Sequence, residues 1–87
     1  MEKYKLCFTE TFYKNLRGIP KKDIARILKR VSDLAIDPRP YGSEKLSGEQ
    51  EKYRIRQGNY RVIYSIEDDQ LVVIVVKVGH RREVYER

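Results

Sequence analysis

Three arginines, Arg54, Arg56 and Arg61, flank the dipeptide Gly58-Asn59 in the stretch KYRIRQGNYRVIYSI, Lys52 to Ile66. Gly-Asn between two alternating apolar runs is a two-residue hairpin signal. A turn there pairs Gln57 with Tyr60, Arg56 with Arg61, Ile55 with Val62 and Tyr53 with Tyr64. Arg56 then stands directly opposite Arg61, and like charges in that position are destabilising. In water, screening holds the repulsion below ~1 kcal/mol per pair, so a solvated face is the simplest account. An anion reverses the argument. Guanidinium groups that repel one another converge on a phosphate or carboxylate, and their fork geometry suits phosphate. No acidic residue is expected on the arginine face. Ile63, Ile74 and Val76 lie beside the arginines and offer an apolar patch for a base or a partner's side chains. The preferred reading is an anion site.

The end of the chain, VGHRREVYER, adds His80, Arg81, Arg82, Tyr85 and Arg87 just after the last expected strand. Tyr85 is a stacking platform for a base, a contact worth about 1–3 kcal/mol in single-strand recognition. Its alternative is a ring folded back on the sheet. His80 is the only histidine, and an exposed, solvated imidazole is its simpler reading. Cys7 reads as a small strand filler. One cysteine forms no internal disulfide, and one Cys with one His is too few ligands for a metal site.

The elements that must position these residues follow from periodicity. The 87 residues make a single domain, 1–87. Tyr4 to Phe8 alternates as a half-buried strand. Thr9 is an N-cap, with Phe8 and Tyr13 at the positions of a hydrophobic staple. That helix runs to about Leu16 and ends at Gly18. Pro20 opens a second helix. Its apolar stripe is Ile24, Ile27, Leu28, Val31, Leu34 and Ala35, and its other positions carry Lys21, Lys22, Arg26, Lys29 and Arg30. Asp37-Pro38 and Pro40 stop it, and Arg39 to Gln50 is read as a loop. Strands are expected at Lys52–Gln57, Tyr60–Ile66 and Gln70–Val78, with Gly79 breaking the last. Tyr53, Ile55, Val62, Tyr64, Ile66, Leu71, Val73 and Val75 should face the helices. The expected fold is α+β. A small antiparallel sheet of about four strands, in the order β-α-α-β-β-β, carries two N-terminal helices on one face.

Lys and Arg number 19 against 13 Asp and Glu, giving a net charge of +6 and a pI of about 9.5. That balance suits a polyanionic partner such as nucleic acid. The N-terminus lacks an apolar stretch of signal-peptide length, and the apolar run from Leu71 to Val76 is too short to span a bilayer. A cytoplasmic protein with no membrane partner is expected.

The stretches KLSG, YRIRQGNYRVIY and VGHRREVY, taken in order along the whole chain, resemble the RelE branch of the RelE/ParE toxin superfamily. The resemblance implies the toxin of a type II toxin–antitoxin system. Such a toxin is a metal-independent endoribonuclease without cofactors. It enters the ribosomal A site and cleaves mRNA there by attack of the ribose 2′-OH on the adjacent phosphate. It implies a cognate antitoxin as partner, beside the ribosome with its rRNA and the mRNA, and a monomer when the toxin is alone. By residue, the family's basic pair falls on Arg54 and Arg56, and its phosphate-binding arginine on Arg61. Its leaving-group arginine falls on Arg81 and its nucleotide-orienting tyrosine on Tyr85. Lys45 matches a further lysine near the rRNA. His80 and Arg82 join the expected RNA-binding set. One departure stands out: well-studied members carry lysines at the positions of Arg54 and Arg56, one of them proposed as general base. Arginine, with a pKa above ~12, is a poor base at neutral pH. His80 or Tyr85 then moves the proton, or catalysis rests on charge stabilisation, which is the preferred reading. The alternative function is a ParE-like toxin that inhibits DNA gyrase and is not a nuclease. A catalytically silent binding module is the third.

Overall fold

The computed structural model describes residues 3–46 and 52–80. The elements are β1 (Lys5–Phe8), α1 (Glu10–Leu16), α2 (Lys21–Ser32), β2 (Glu44–Lys45), β3 (Lys52–Gln57), β4 (Tyr60–Glu67) and β5 (Val72–His80), with a 3₁₀ turn at Asp33–Ala35 after α2. The sheet has five strands in the order β1-β5-β4-β3-β2. Two features differ from the sequence reading. The strand count is five because Glu44 and Lys45, inside the expected loop, pair with Arg54 and Tyr53. The sheet is mixed, because β1 returns through two helices and runs parallel to β5 at the edge.

The caps behave as their residue types require. Thr9 Oγ1 accepts from the Phe12 backbone N–H at 3.1 Å, satisfying one orphan donor of α1. The rings of Phe8 and Tyr13 meet with centroids 5.9 Å apart. Pro20 sits one position earlier than expected, as the N-cap of α2. The core lies between the helices and one sheet face. Phe12, Ile27, Val31, Leu34, Ile55, Val62, Tyr64, Ile66, Val73 and Val75 are fully or almost fully buried there. Each such side chain contributes about 1.5–3 kcal/mol through burial. Leu28 and Leu71 depart from expectation and are 40% and 41% exposed. Leu28 sits on the outer flank of its helix. Leu71 lies in the β4–β5 turn at φ 55°, where the left-handed backbone takes it out of strand alternation.

The hairpin closes as the Gly58-Asn59 signal requires, with Gln57 opposite Tyr60 and Arg56 opposite Arg61. Gly58 supplies φ +61°, a conformation that glycine adopts at little cost. The β4–β5 pairing contains the decisive irregularity. Ile63 pairs with Lys77, Tyr64 pairs with Val75, and Val76 is left over. This β-bulge adds one residue to β5 and reverses side-chain alternation beyond it. Val73 and Val75 face the core before the bulge, and Val78 faces it after. Helix α1 holds the bulge in place. The Thr9 hydroxyl donates to the Val76 carbonyl at 2.5 Å, and Asn15 Oδ1 accepts from the Val78 N–H at 3.0 Å. Strand β5 continues through Gly79, which pairs with Arg61, so the glycine does not break it.

Candidate nucleic-acid interface

Arg54, Arg56 and Arg61 come together. Register places all three on the sheet face away from the helices, and with Arg30, Gly42, Ser43, Glu44 and Ile55 they line a cleft of about 400 Å³. The cleft exists because β2 is only two residues long. It pairs with Tyr53 and Arg54 and leaves the outer edge of β3 open from Ile55 onward. The volume falls within the 300–1,000 Å³ of sites that take small ligands.

Glu44 corrects the expectation that the arginine face lacks acid. It stands directly opposite Arg54 and accepts from Arg54 Nε at 2.7 Å and also from Nη2. The hydrogen-bonded Arg54 guanidinium holds the Glu44 carboxyl below its ordinary range, and Arg56 and Arg61 add to the effect from farther away. A strand in the 39–50 segment was the missing signal. Without β2, nothing in the sequence places Glu44 beside Arg54. Arg56 and Arg61 have no hydrogen bond or ion pair among the described residues. Four guanidinium groups therefore line the cleft against one carboxylate.

The apolar patch is smaller than expected. Ile63 is 1% exposed because Leu46, from the segment read as loop, covers it together with Val76. The bulge brings Lys77 onto the arginine side, opposite Ile63. Unbroken alternation puts Lys77 toward the core, so its sequence position carried no sign of this.

Two expected RNA-binding residues lie elsewhere. Lys45 pairs with Tyr53 and so points to the other face from Arg54. His80 pairs with Tyr60 beyond the bulge, on the helix side of the sheet. There it lines a second cleft of about 310 Å³ with Asn15, Gly18 and Ile19, its ring edge-on to Tyr60 at 5.9 Å. The sheet separates His80 from the three arginines. Arg81, Arg82 and Tyr85 lie outside the described residues. Among the described residues no group of three or more His, Cys, Asp or Glu side chains is placed to hold a metal ion.

A different arginine organises the segment that follows α2. Arg39 donates from Nη2 to Asp68 Oδ2 at 2.7 Å and from Nη1 to Asp68 Oδ1 at 3.3 Å. Its Nε donates to the Tyr53 hydroxyl at 3.0 Å, and the guanidinium lies over the Tyr53 ring, 5.2 Å from the centroid. The Tyr4 hydroxyl completes the group by donating to Asp68 Oδ1 at 2.7 Å. These contacts hold the Asp68 carboxyl below its ordinary range, with Arg39 the main cause and Tyr4 the next. Beside them the buried Tyr64 hydroxyl donates to the Pro38 carbonyl at 2.7 Å, and desolvation pushes its pKa up to about 12.

A five-stranded sheet under two helices is the fold of solved RelE toxins, the toxins of type II toxin–antitoxin systems. Residues 6–85 match the family described as the ParE toxin of type II toxin-antitoxin system, parDE, and the chain belongs to that family, within the RelE/ParE superfamily. Its relatives are RelE toxins. Toxin RelG of Mycobacterium tuberculosis is 30% identical, over 97% of this chain and 98% of its own length. The mRNA interferase toxin RelE of Escherichia coli is 33% identical, over 94% of this chain and 90% of its own. Among solved structures, the archaeal RelE-RelB complex from Pyrococcus horikoshii OT3 gives a TM-score of 0.81 at 30% identity, covering 94% of this chain and 99% of that one. The isolated E. coli RelE toxin gives 0.76 at 29% identity, covering 88% and 83%.

Proposed function

We propose that this chain is a ribosome-dependent mRNA endoribonuclease that cuts in the A site by attack of the ribose 2′-OH on the adjacent phosphate. The observation that carries the reading is the Arg56–Arg61 pair, directly opposed and without ion-pair partners among the described residues, in an open cleft. Two such guanidiniums suit a phosphate whose charge grows as the phosphorane forms. The cleft leaves the scissile phosphate open to alignment by the ribosome, which supplies the in-line geometry. Arg81 and Tyr85 join the site by resemblance, at the leaving oxygen and on the base. The mechanism rests on electrostatic stabilisation, because arginine does not accept a proton at neutral pH. RelE relatives solved with RelB support a cognate antitoxin as partner. An acidic, amphipathic antitoxin segment suits the arginine cleft with the half-buried Ile74 and Val76 beside it.

The ParE description of the matched family favours one second reading, a gyrase-inhibiting toxin that is not a nuclease. An in vitro translation reaction followed by toeprinting separates the two. Cuts confined to the A-site codon are the expected result. Intact mRNA with gyrase-dependent DNA damage in cells supports the second reading instead.

A further inference from the structure

Arg30 lies in the last turn of α2, among the basic residues read in sequence as filling the positions outside its apolar stripe. The structure turns this one inward. It is half-buried, it lines the arginine cleft from the helix layer, and a Cβ built on Gly42 would lie 3.8 Å from its Nη2. Among the described residues it has no hydrogen bond or ion pair. The C-terminal end of the α2 dipole favours a cation there, but that leaves the guanidinium donors unfilled. A half-buried cation without a counter-charge is costly unless an anion arrives. The cleft's one carboxylate, Glu44, is already taken by Arg54. Arg30 enters the cleft from helix α2, whereas Arg56 and Arg61 stand on the sheet.

We propose that Arg30 is a second phosphate-binding residue of this cleft, holding the phosphodiester next to the one gripped by Arg56 and Arg61. The site then grips two consecutive phosphates of single-stranded RNA. The inference rests on the nuclease reading for its substrate class. It adds a contact made to the RNA backbone and therefore indifferent to base identity.

The test uses the whole toxin and two probes, a 2′-O-methyl trinucleotide with two internal phosphates and a dinucleotide with one. Wild type is expected to bind the trinucleotide at least tenfold more tightly. Arg30→Gln should remove most of that advantage and lower the salt slope of log K by about 0.7, the value for one single-strand phosphate contact. Arg30→Lys should restore part of both, because a point charge still attracts phosphate. Dinucleotide affinity should fall less in Arg30→Gln than in Arg56→Gln. Equal affinity of wild type for the two probes overturns the proposal, as does failure to bind either. An Arg30→Gln variant with wild-type trinucleotide affinity and salt slope also overturns it. Cleavage on programmed ribosomes by the wild-type toxin is scored separately. Its absence removes the nuclease reading while the binding result still decides the role of Arg30.

Discussion

Arg39 and Arg61 are the same residue type in opposite circumstances. Arg39 spends its donors on Asp68 and the Tyr53 hydroxyl and ties the segment after α2 to the β4–β5 turn. Arg61 faces Arg56 across the hairpin, with no ion pair among the described residues. The first arrangement satisfies a charge inside the fold and so stabilises it. The second leaves charge unsatisfied at the rim of a cleft, where an external anion completes it. The comparison teaches that in so basic a chain the partner, rather than the residue type, separates structural arginines from those available to bind.

The contrast is sharpest in a pair of substitutions. Arg61→Ala should lower single-turnover cleavage on programmed ribosomes by ~10²–10³, the usual cost of one preorganised transition-state donor. Its melting temperature should stay close to that of wild type, since the residue makes no ion pair among the described residues. Arg39→Ala should do the reverse. Discounted for solvent exposure, its loss is on the order of 1 kcal/mol, or roughly 4–8 °C in a domain of this size. Cleavage per folded molecule should be retained. A stable Arg61→Ala protein that cuts at the wild-type rate breaks the comparison from the functional side.

Glu44→Gln probes the one carboxylate in the arginine cleft. If electrostatic stabilisation carries the reaction, releasing Arg54 should change the cleavage rate by less than about tenfold. A loss of roughly 10³-fold or more, with disappearance of the acid limb of the pH–rate profile, makes Glu44 the proton acceptor. His80→Ala applies the same logic on the other side of the sheet. The rate should fall less than about threefold from pH 5 to 9. A loss of roughly 10³-fold or more returns His80 to the mechanism.

The smallest effects concern the buried and latched groups. Tyr64→Phe removes a buried hydroxyl and leaves the Pro38 carbonyl without its donor, at about 1–1.5 kcal/mol in a denaturation midpoint. A raised folded pKa means the native state keeps a proton that the unfolded chain releases above pH ~10. Wild-type stability therefore falls as pH rises from about 10 toward 12, and the variant should lose part of that limb. Asp68 has the opposite sign. Its depressed folded pKa contributes stability above pH ~4 that disappears as pH falls through the folded value. Asp68→Asn should flatten the acid limb of the stability curve, and an unchanged limb excludes the latch from acid stability.

Local periodicity is enough to read the hairpin register, the Thr9 cap, the Phe8–Tyr13 staple and the inward stripe of α2, because each depends on residues a few positions apart. The opposition of Arg56 and Arg61 follows from the Gly58-Asn59 turn alone, so the centre of the candidate site is legible in the sequence. What lies beyond its reach depends on contacts between distant segments. The two-residue strand β2 carries little periodicity, yet it brings Glu44 to Arg54 and Leu46 over Ile63. Register also places Lys45 on the other face from the arginines. The bulge at Val76 leaves no mark in an unbroken apolar run, because every residue of LVVIVV suits either face. It is settled by Thr9 and Asn15, more than sixty positions away, which satisfy the backbone groups it disturbs. That single extra residue turns Lys77 toward the arginines and His80 away from them. Arg30 is one basic residue among several on α2, and only the packing of that helix beside the open edge of β3 gives it a place in the cleft. Side-chain direction past an irregularity is a tertiary property, since the free energy that holds the irregularity is supplied by another part of the chain.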